Sequence, residues 1–314
     1  MKILMTGGAG FIGSHVADAY IRDGHDVAVL DDLSTGFEGN VPEKAMFYRM
    51  DVRDSSLSDV FSREKPDVVN HHAAQMDVRK SVEDPLFDAD VNILGSLNII
   101  ANSIRFGVKK LIYVSSGGAV YGEPEYLPVD EEHPVNPICQ YGISKHTVEH
   151  YLHLHSELDG LVYTVLRYPN VYGPRQNPYG EAGVNAIFIG QMLRNEGCTI
   201  FGDGEQLRDY VYVEDIVTAN RIVLERGHNQ TYNLGSENGT SVNEIYSKLK
   251  ELIGFDGRAE YGALRKGEIK KVYLNCSKAK RDLAWQATVD LDEGMKRTID
   301  YFRENLHLFE RESS

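Results

Sequence analysis

The sequence predicts an α/β protein, a doubly wound parallel sheet with a smaller C-terminal substrate-binding lobe. Three observations carry that expectation. An apolar run at Ile3-Leu4 leads straight into Met5-Thr-Gly-Gly-Ala-Gly-Phe-Ile-Gly13, a strand turning sharply into a helix. Strand-like and helix-like patterns then alternate through the first half, as a parallel sheet requires. Lys110-Leu-Ile-Tyr-Val114 is a near-continuous apolar stretch of the kind buried on both faces of a sheet.

The elements follow in order. Ile3 to Thr6 open the first strand, and Phe11, Ile12, Val16 and Tyr20 continue with helical spacing. Asp26 to Leu30 reads as the second strand and ends in Asp31-Asp32. Met46 to Met50 is the third strand, closing on Asp51-Val52, and Asp67 to His71 the fourth. Pro85 to Phe106 reads as one long amphipathic helix, with Val91, Leu94, Leu97, Ile100 and Ile104 in helical register. Tyr141 to Leu158 is a helix and Val162 to Tyr168 a sixth strand. Gly, Pro and Asn cluster from Pro169 to Gly183, a helix is expected near Ala186 to Asn195, and Phe201 to Glu205 turns sharply. Tyr232 to Gly235 returns as a last strand, and Ser241 to Leu306 reads as short helices and loops. A dinucleotide-binding domain is thus expected over 1–168, rejoined by about 209–238, with 169–208 and 239–314 forming the second lobe.

Bulk properties exclude several classes. At 314 residues the chain exceeds the usual single-core size. Lys and Arg number 33 against 47 Asp and Glu, a net charge of −14, and no basic run tracks phosphates. Nucleic acid and anionic membrane are therefore not expected partners. The 3 cysteines, at 139, 198 and 276, lack any CxxC spacing, so neither disulfides nor a zinc site is expected. No apolar segment approaches the roughly 18 residues of a membrane span. Met1 leads directly into the first strand, leaving no room for a signal peptide, and a cytosolic protein is expected.

The glycines at 7, 10 and 13 leave the first helical amides uncapped, a ready site for a dinucleotide pyrophosphate. An acid about 20 residues on, Asp31 or Asp32, can bond a ribose 2′-hydroxyl and repel a 2′-phosphate, which favours NAD over NADP. Tyr141-Gly-Ile-Ser-Lys145 places phenol and ammonium one helical turn apart, on one face. A nearby cation should lower the tyrosine pKa toward working pH, so that it can trade a proton with a sugar hydroxyl as hydride moves to nicotinamide. Ser115-Ser116 end the buried strand at the sheet's carboxyl edge, where such folds bind ligands. Other eye-catching residues read as structural. His71 and His72 have no third ligand nearby. His146, His150, His153 and His155 decorate a helix, with some expected at solvent or a subunit interface, and Cys139 packs. No metal is expected.

Taken together, Thr6–Gly13, Ser115–Gly122 (SSGGAVYG), Tyr141–Lys145 (YGISK), Arg167–Pro174 (RYPNVYGP) and Arg208–Asp215 (RDYVYVED) resemble the extended short-chain dehydrogenase/reductases. The nearest members are the NAD-dependent UDP-glucose 4-epimerases. The resemblance runs in order from residue 1 to about 305. It implies a Rossmann domain with Tyr141 as catalytic acid/base, Lys145 as its ribose-binding partner and Ser116 as the catalytic hydroxyl. It implies NAD contacts from Gly7, Gly10, Phe11, Ile12, Gly13, Asp31, Asp32, Asp51, Val52, Ala73, Asn92, Tyr141 and Lys145. It further implies contacts to a UDP-sugar from Ser116, Tyr141, Asn170, Arg208, Arg265 and Val272, the last beside the sugar C2 substituent. An arginine fork such as Arg208 or Arg265 suits bidentate phosphate contact. One departure is Met76, where many epimerases carry a lysine near the cofactor.

The implied reaction inverts C4 of a UDP-hexose, glucose to galactose or the N-acetyl forms, through a 4-keto sugar. A homodimer pairing the 85–106 and 141–158 helices of two copies in a four-helix bundle is also implied. Within the enzymes, the alternatives are a UDP-glucuronate decarboxylase and a 4,6-dehydratase. Dehydratases need an Asp-Glu pair where this chain has Gly117-Gly118. From another class, a non-catalytic NAD-sensing regulator would typically lack the Tyr/Lys pair that this chain retains.

Overall fold

A computed structural model describes residues 1–179, 183–264 and 269–309 of the chain. Its strands are β1 (Lys2–Thr6), β2 (Asp26–Asp31), β3 (Met46–Arg49), β4 (Val68–His71), β5 (Lys110–Ser116), β6 (Tyr163–Tyr168) and β7 (Asn170–Tyr172). They continue with β8 (Thr199–Phe201), β9 (Leu207–Tyr212), β10 (Gln230–Asn233), β11 (Gly239–Ser241), β12 (Glu260–Gly262) and β13 (Lys271–Val272).

Seven strands form one parallel sheet in the order β10-β6-β5-β4-β1-β2-β3. The direction of winding reverses between β1 and β4, and a ligand crevice opens outside the carboxyl ends of strands at such a reversal. Alternation along the strands sends side chains to opposite faces. Ile3 and Met5 enter one apolar cluster with Val16, Tyr20, Val27 and Val29, whereas Leu4 enters another with Leu30, Phe61, Leu111 and Tyr113. Both faces are covered, as the apolar strands demand.

The predicted strands β1 to β6 are present within two residues of their expected ends, with Ser115 and Ser116 forming the end of β5. The last central strand is Gln230–Asn233, upstream of the expected Tyr232 to Gly235. The expected single helix over 85–106 is instead Pro85–Ala89, a π-helical turn at Asp90–Leu94, and a helix over Gly95–Arg105. Its wider turn carries the buried Asn92. The spacing of Val91, Leu94, Leu97, Ile100 and Ile104 fits an uninterrupted helix, so it does not reveal the π turn.

A second, four-stranded sheet was not anticipated. It runs β11-β9-β13, with β7 also paired to β9. It is assembled from segments of two to six residues far apart in sequence, too short for a periodic signal. The chain leaves the central sheet after Tyr168, builds this small sheet, and returns through the helix Val213–Ile222, which packs on the helix Phe11–Arg22.

Candidate active site

The glycine turn after β1 is set by steric need. Gly7 has φ +68°, and a β-carbon there would stand 2.6 Å from the Ala73 nitrogen; one on Gly13 would stand 2.2 Å from the Gly7 carbonyl oxygen. The helix Phe11–Arg22 starts at Gly10 with no side-chain cap and no acid in its first turn. Its first amides therefore point into the crevice with nothing of the chain's own to neutralise them, as a pyrophosphate requires. Phe11 and Ile12 lie half-buried beside that turn.

Asp31 closes the other side. Its Oδ2 accepts from the Ala9 amide at 3.0 Å and its Oδ1 from Leu33 at 2.9 Å, so the acid at the end of β2 is tied to the glycine loop itself. Burial raises its pKa, and the two amides oppose that rise. Asp32 is exposed and accepts from the Ser34 amide. Asp51 is bound by Arg53, which also reaches Asp90 at 2.5 Å, and the guanidinium holds the Asp51 carboxyl below its ordinary range. Val52 is buried with its methyl groups against Gly95. Ala73 follows β4 and donates its amide to Thr6 Oγ1 at 3.3 Å.

Asn92 is held in place by the chain. Its amide nitrogen donates to the Gln75 carbonyl and Asp88 Oδ1, both at 2.9 Å, and to Ser144 Oγ at 3.3 Å, while its oxygen accepts from the Gln75 amide. The π turn thus locks the segment after β4 to the helix that carries Tyr141. Met76 is half exposed on that same segment.

The Gln140–Asp159 helix is capped by Cys139, whose sulfur accepts from the Gly142 amide at 3.4 Å, and stops at Gly160 with φ +70°. Tyr141, Lys145 and Glu149 share one stripe. Ser116, at the carboxyl end of β5, stands beside the Tyr141 phenol and acts to lower its pKa. Lys145 is buried, donates to the Val114 carbonyl at 2.9 Å, and its Nζ lies 5.9 Å from the Tyr141 ring centroid.

These contacts correct one expectation. Burial pushes the Tyr141 phenol up from its ordinary value, opposed mainly by Ser116; Lys145 does not offset it. Burial also lowers Lys145, to about 8. Desolvation is the larger effect on both groups, and the one hydrogen bond the ammonium makes within the chain goes to the Val114 carbonyl rather than to the phenol.

The small sheet faces this group. Register pairs Arg208 with Val272 and with Thr240, and Asn170 with Tyr210, so all five side chains share one face. Gly118 lies between Asn170 Oδ1 and Ser116 Oγ, its β-carbon position 3.7 Å and 3.9 Å from them. Val272 is buried, while the ring of Tyr273 turns to the opposite face against Gly239. Arg208 donates to the Leu207 carbonyl at 2.9 Å, and the Asp209 carboxylate accepts from Ser236 and Leu274. Arg265 lies outside the described residues.

Glu149, which the sequence reading passed over, and His71, which it took as structural, hold the group together. Glu149 accepts from Ser115 Oγ and is bidentate to Arg167, joining the helix to β5 and β6. The four-residue step from Lys145 to Glu149 was the signal that could have exposed the first. His71 bonds Thr6 and Ser96 and is held neutral by burial, its pKa about 3.

A model of the NAD dependent epimerase/dehydratase family matches residues 3–235. The chain belongs to that family. The UDP-glucose 4-epimerase of Mycolicibacterium smegmatis is 40% identical over 309 residues, 96% of this chain and 99% of the relative. The crystal structure of a Thermotoga maritima UDP-glucose 4-epimerase with UDP-glucose superposes with a TM-score of 0.96 at 49% identity, over 98% of this chain and 100% of that one. A Thermus thermophilus UDP-glucose 4-epimerase in complex with NAD gives 0.92 at 40% identity, over 96% and 99%. The family's cofactor fits the residues present: the close approach at Gly7 and Gly13 and the uncapped amides are what a dinucleotide needs. This enzyme is NAD-dependent.

Proposed function

We propose that this chain is a UDP-glucose 4-epimerase, interconverting UDP-glucose and UDP-galactose and admitting the N-acetyl forms. The observation that carries the reading is the meeting of Ser116, Tyr141 and Lys145 at the carboxyl edge of the sheet, across from Asn170, Arg208 and Val272. NAD would be held by the glycine turn with Phe11 and Ile12, by Asp31, by Asp32, Asp51 and Val52 along the adenosine side, and by Ala73, Asn92 and Lys145 near the reacting end. When bound, it supplies the redox partner that takes hydride from sugar C4 and gives it back.

The chain's own residues move the proton. Tyr141 accepts the 4-hydroxyl proton, relayed through Ser116, and returns it after the 4-keto sugar has turned over. Lys145 orients the ribose and supplies positive charge beside the phenol. Asn170 and Arg208, with Arg265, hold the UDP-sugar.

The chain has Gly117-Gly118 where a 4,6-dehydratase carries its Asp-Glu pair, and a side chain at 117 would have to displace Leu274, which lies 2.6 Å from the β-carbon position. The retained Tyr141/Lys145 pair speaks against a regulator without catalysis. The two lobes proposed are 1–168 with about 209–238 for NAD, and 169–208 with 239–314 for the sugar nucleotide.

A homodimer is proposed through a four-helix bundle. Its support is the apolar side that the two helices leave exposed: Leu86 and Leu94 on one, Ile143, Leu154 and Leu158 on the other. No described helix is long and apolar enough to cross a membrane. Three free thiols, two of them buried, suit a cytosolic, reducing compartment.

Incubation with UDP-glucose, UDP-N-acetylglucosamine and UDP-glucuronate, followed by separation of products, tests the reading. UDP-galactose and UDP-N-acetylgalactosamine are expected; a UDP-pentose with release of carbon dioxide would establish the decarboxylase instead.

A further inference from the structure

We propose that Lys110 is an acylation site, an amine that takes the acyl group of acyl phosphates from a cavity at the amino edge of the central sheet. That edge is opposite the one carrying Tyr141, and the site is independent of the epimerase reading.

Lys110 is the first residue of β5. It is 3% exposed and lines a cavity of about 360 Å³ formed with the amino ends of β4 and β6 and the turn after the Val213–Ile222 helix. Val68, Val162 and Leu224 supply apolar wall, while Lys109, Glu225 and His228 stand exposed around it. A small solute therefore has a path from solvent to a side chain that is otherwise covered. No residue lining the cavity belongs to the two helices proposed to pair in the dimer.

Two adjacent lysines sit in opposite settings here. Lys109 pairs with Asp67 at 2.8 Å, and its side chain is 77% exposed. Asp67 also accepts from the Lys2 amide at 2.8 Å, so that carboxylate is committed. Lys110 points the other way, as alternation along a strand requires. Its Nζ donates to the Arg226 carbonyl, and among the described residues no carboxylate stands within ion-pair distance of it. The charged and titratable groups around the cavity are the Met1 amine, Asp67, Lys109, Glu225 and His228. None of them neutralises the Lys110 ammonium.

An ammonium taken out of water without a counter-ion gives up its proton. Burial pulls the Lys110 pKa down to about 7. At pH 7.5 a group with that value is roughly three quarters free amine, against about 10⁻³ at the ordinary lysine value. Desolvation of this kind is one way lysines become nucleophiles. The free amine keeps one N–H on the Arg226 carbonyl and has a lone pair to offer.

The step is a simple acyl transfer. The Nζ lone pair attacks the acyl carbon and a C–N bond forms. The acyl C–O bond to phosphate breaks, its electron pair leaves with phosphate, and one amine proton passes to that phosphate. Nothing is oxidised or reduced. The product amide is uncharged, so the cost of burying the ammonium disappears, and its remaining N–H can still serve the Arg226 carbonyl.

The test treats the full chain at pH 7.5 with limiting acetyl phosphate and locates acetyl groups by tandem mass spectrometry of a peptide holding both lysines. Lys110 should be acetylated at least tenfold faster than Lys109. The ratio should fall toward one in concentrated urea, where the cavity is gone, and should shrink as pH rises to 10, where solvated lysines also shed their protons. Equal labelling of the two in the folded chain, protection of Lys110, or a preference that persists in urea would overturn the site. None of these results bears on the epimerase assay.

Discussion

Glu149 and Arg167 form a buried bidentate pair, with Arg167 Nε donating at 3.1 Å and Nη2 at 2.5 Å. The pair joins the Tyr141 helix to β6, and Ser115, the neighbour of Ser116, donates to the same carboxylate. Removing one partner leaves a charge buried without compensation. Glu149→Ala should therefore cost about 3–5 kcal/mol in urea unfolding, and Glu149→Leu with Arg167→Met should recover most of it. Burial alone would raise the Glu149 pKa, but hydrogen bonds from His146 and Arg167 outweigh it and hold the carboxyl low. Its contribution is full above the unfolded carboxylate range and is lost as pH falls through the lower folded value. Wild type should lose stability on acidification from pH 5 to 3 more steeply than Glu149→Gln; equal slopes would contradict the assignment.

Lys145 carries the opposite sign. Its folded pKa of about 8 lies below the ordinary lysine value, because burial penalises the ammonium. The unfolded chain then holds the proton more tightly, and folding pays for that at neutral pH. Stability should rise between about pH 8 and 10.4 as the cost disappears. Lys145→Met should stabilise the protein at pH 7 by about 3 kcal/mol and lose activity. An unchanged or lowered unfolding free energy would show that the ammonium is satisfied in the folded state.

Much of this site was legible in the sequence. The glycine turn, the Tyr141/Lys145 spacing and the strand-end serines depend on local pattern, and the fold brings them to one edge. Other parts rest on long-range contact. Asn92 faces Gln75 and Ser144 only because a π turn rotates it inward, and Arg208, Val272 and Asn170 meet only through the register of a sheet of short strands. The expected fall of the Tyr141 pKa failed for a related reason: spacing places Lys145 near the phenol, but the burial that raises the phenol and the Val114 carbonyl that Lys145 bonds come from the tertiary packing of the helix on β5.

The sugar pocket offers a sharper test. Val272 shares a face with Arg208, and Tyr273 points away, so the open side chain and not the tyrosine borders the proposed substrate. Val272→Tyr should lower kcat/KM for UDP-N-acetylglucosamine selectively, by roughly 1–3 kcal/mol in transition-state terms, and spare UDP-glucose. Equal losses on both sugars, or wild-type inactivity on the N-acetyl form, would remove Val272 from the pocket.

Leu158 is 70% exposed on the helix proposed to meet a second copy, with Leu154 one turn before it. Leu158→Glu combined with Leu154→Glu should convert a dimer to a monomer in light scattering at micromolar concentration. A wild-type monomer would end the four-helix pairing.

The most direct measurement follows deuterium at sugar C4. UDP-[4-²H]glucose is incubated with wild type and with Tyr141→Phe in ordinary water, and the products are separated and weighed. Wild type should yield UDP-galactose that keeps its deuterium, and Tyr141→Phe should be slower by about 10²–10⁴-fold, the usual worth of one positioned acid/base. Loss of the label to water, or a full rate from the variant, would contradict the account.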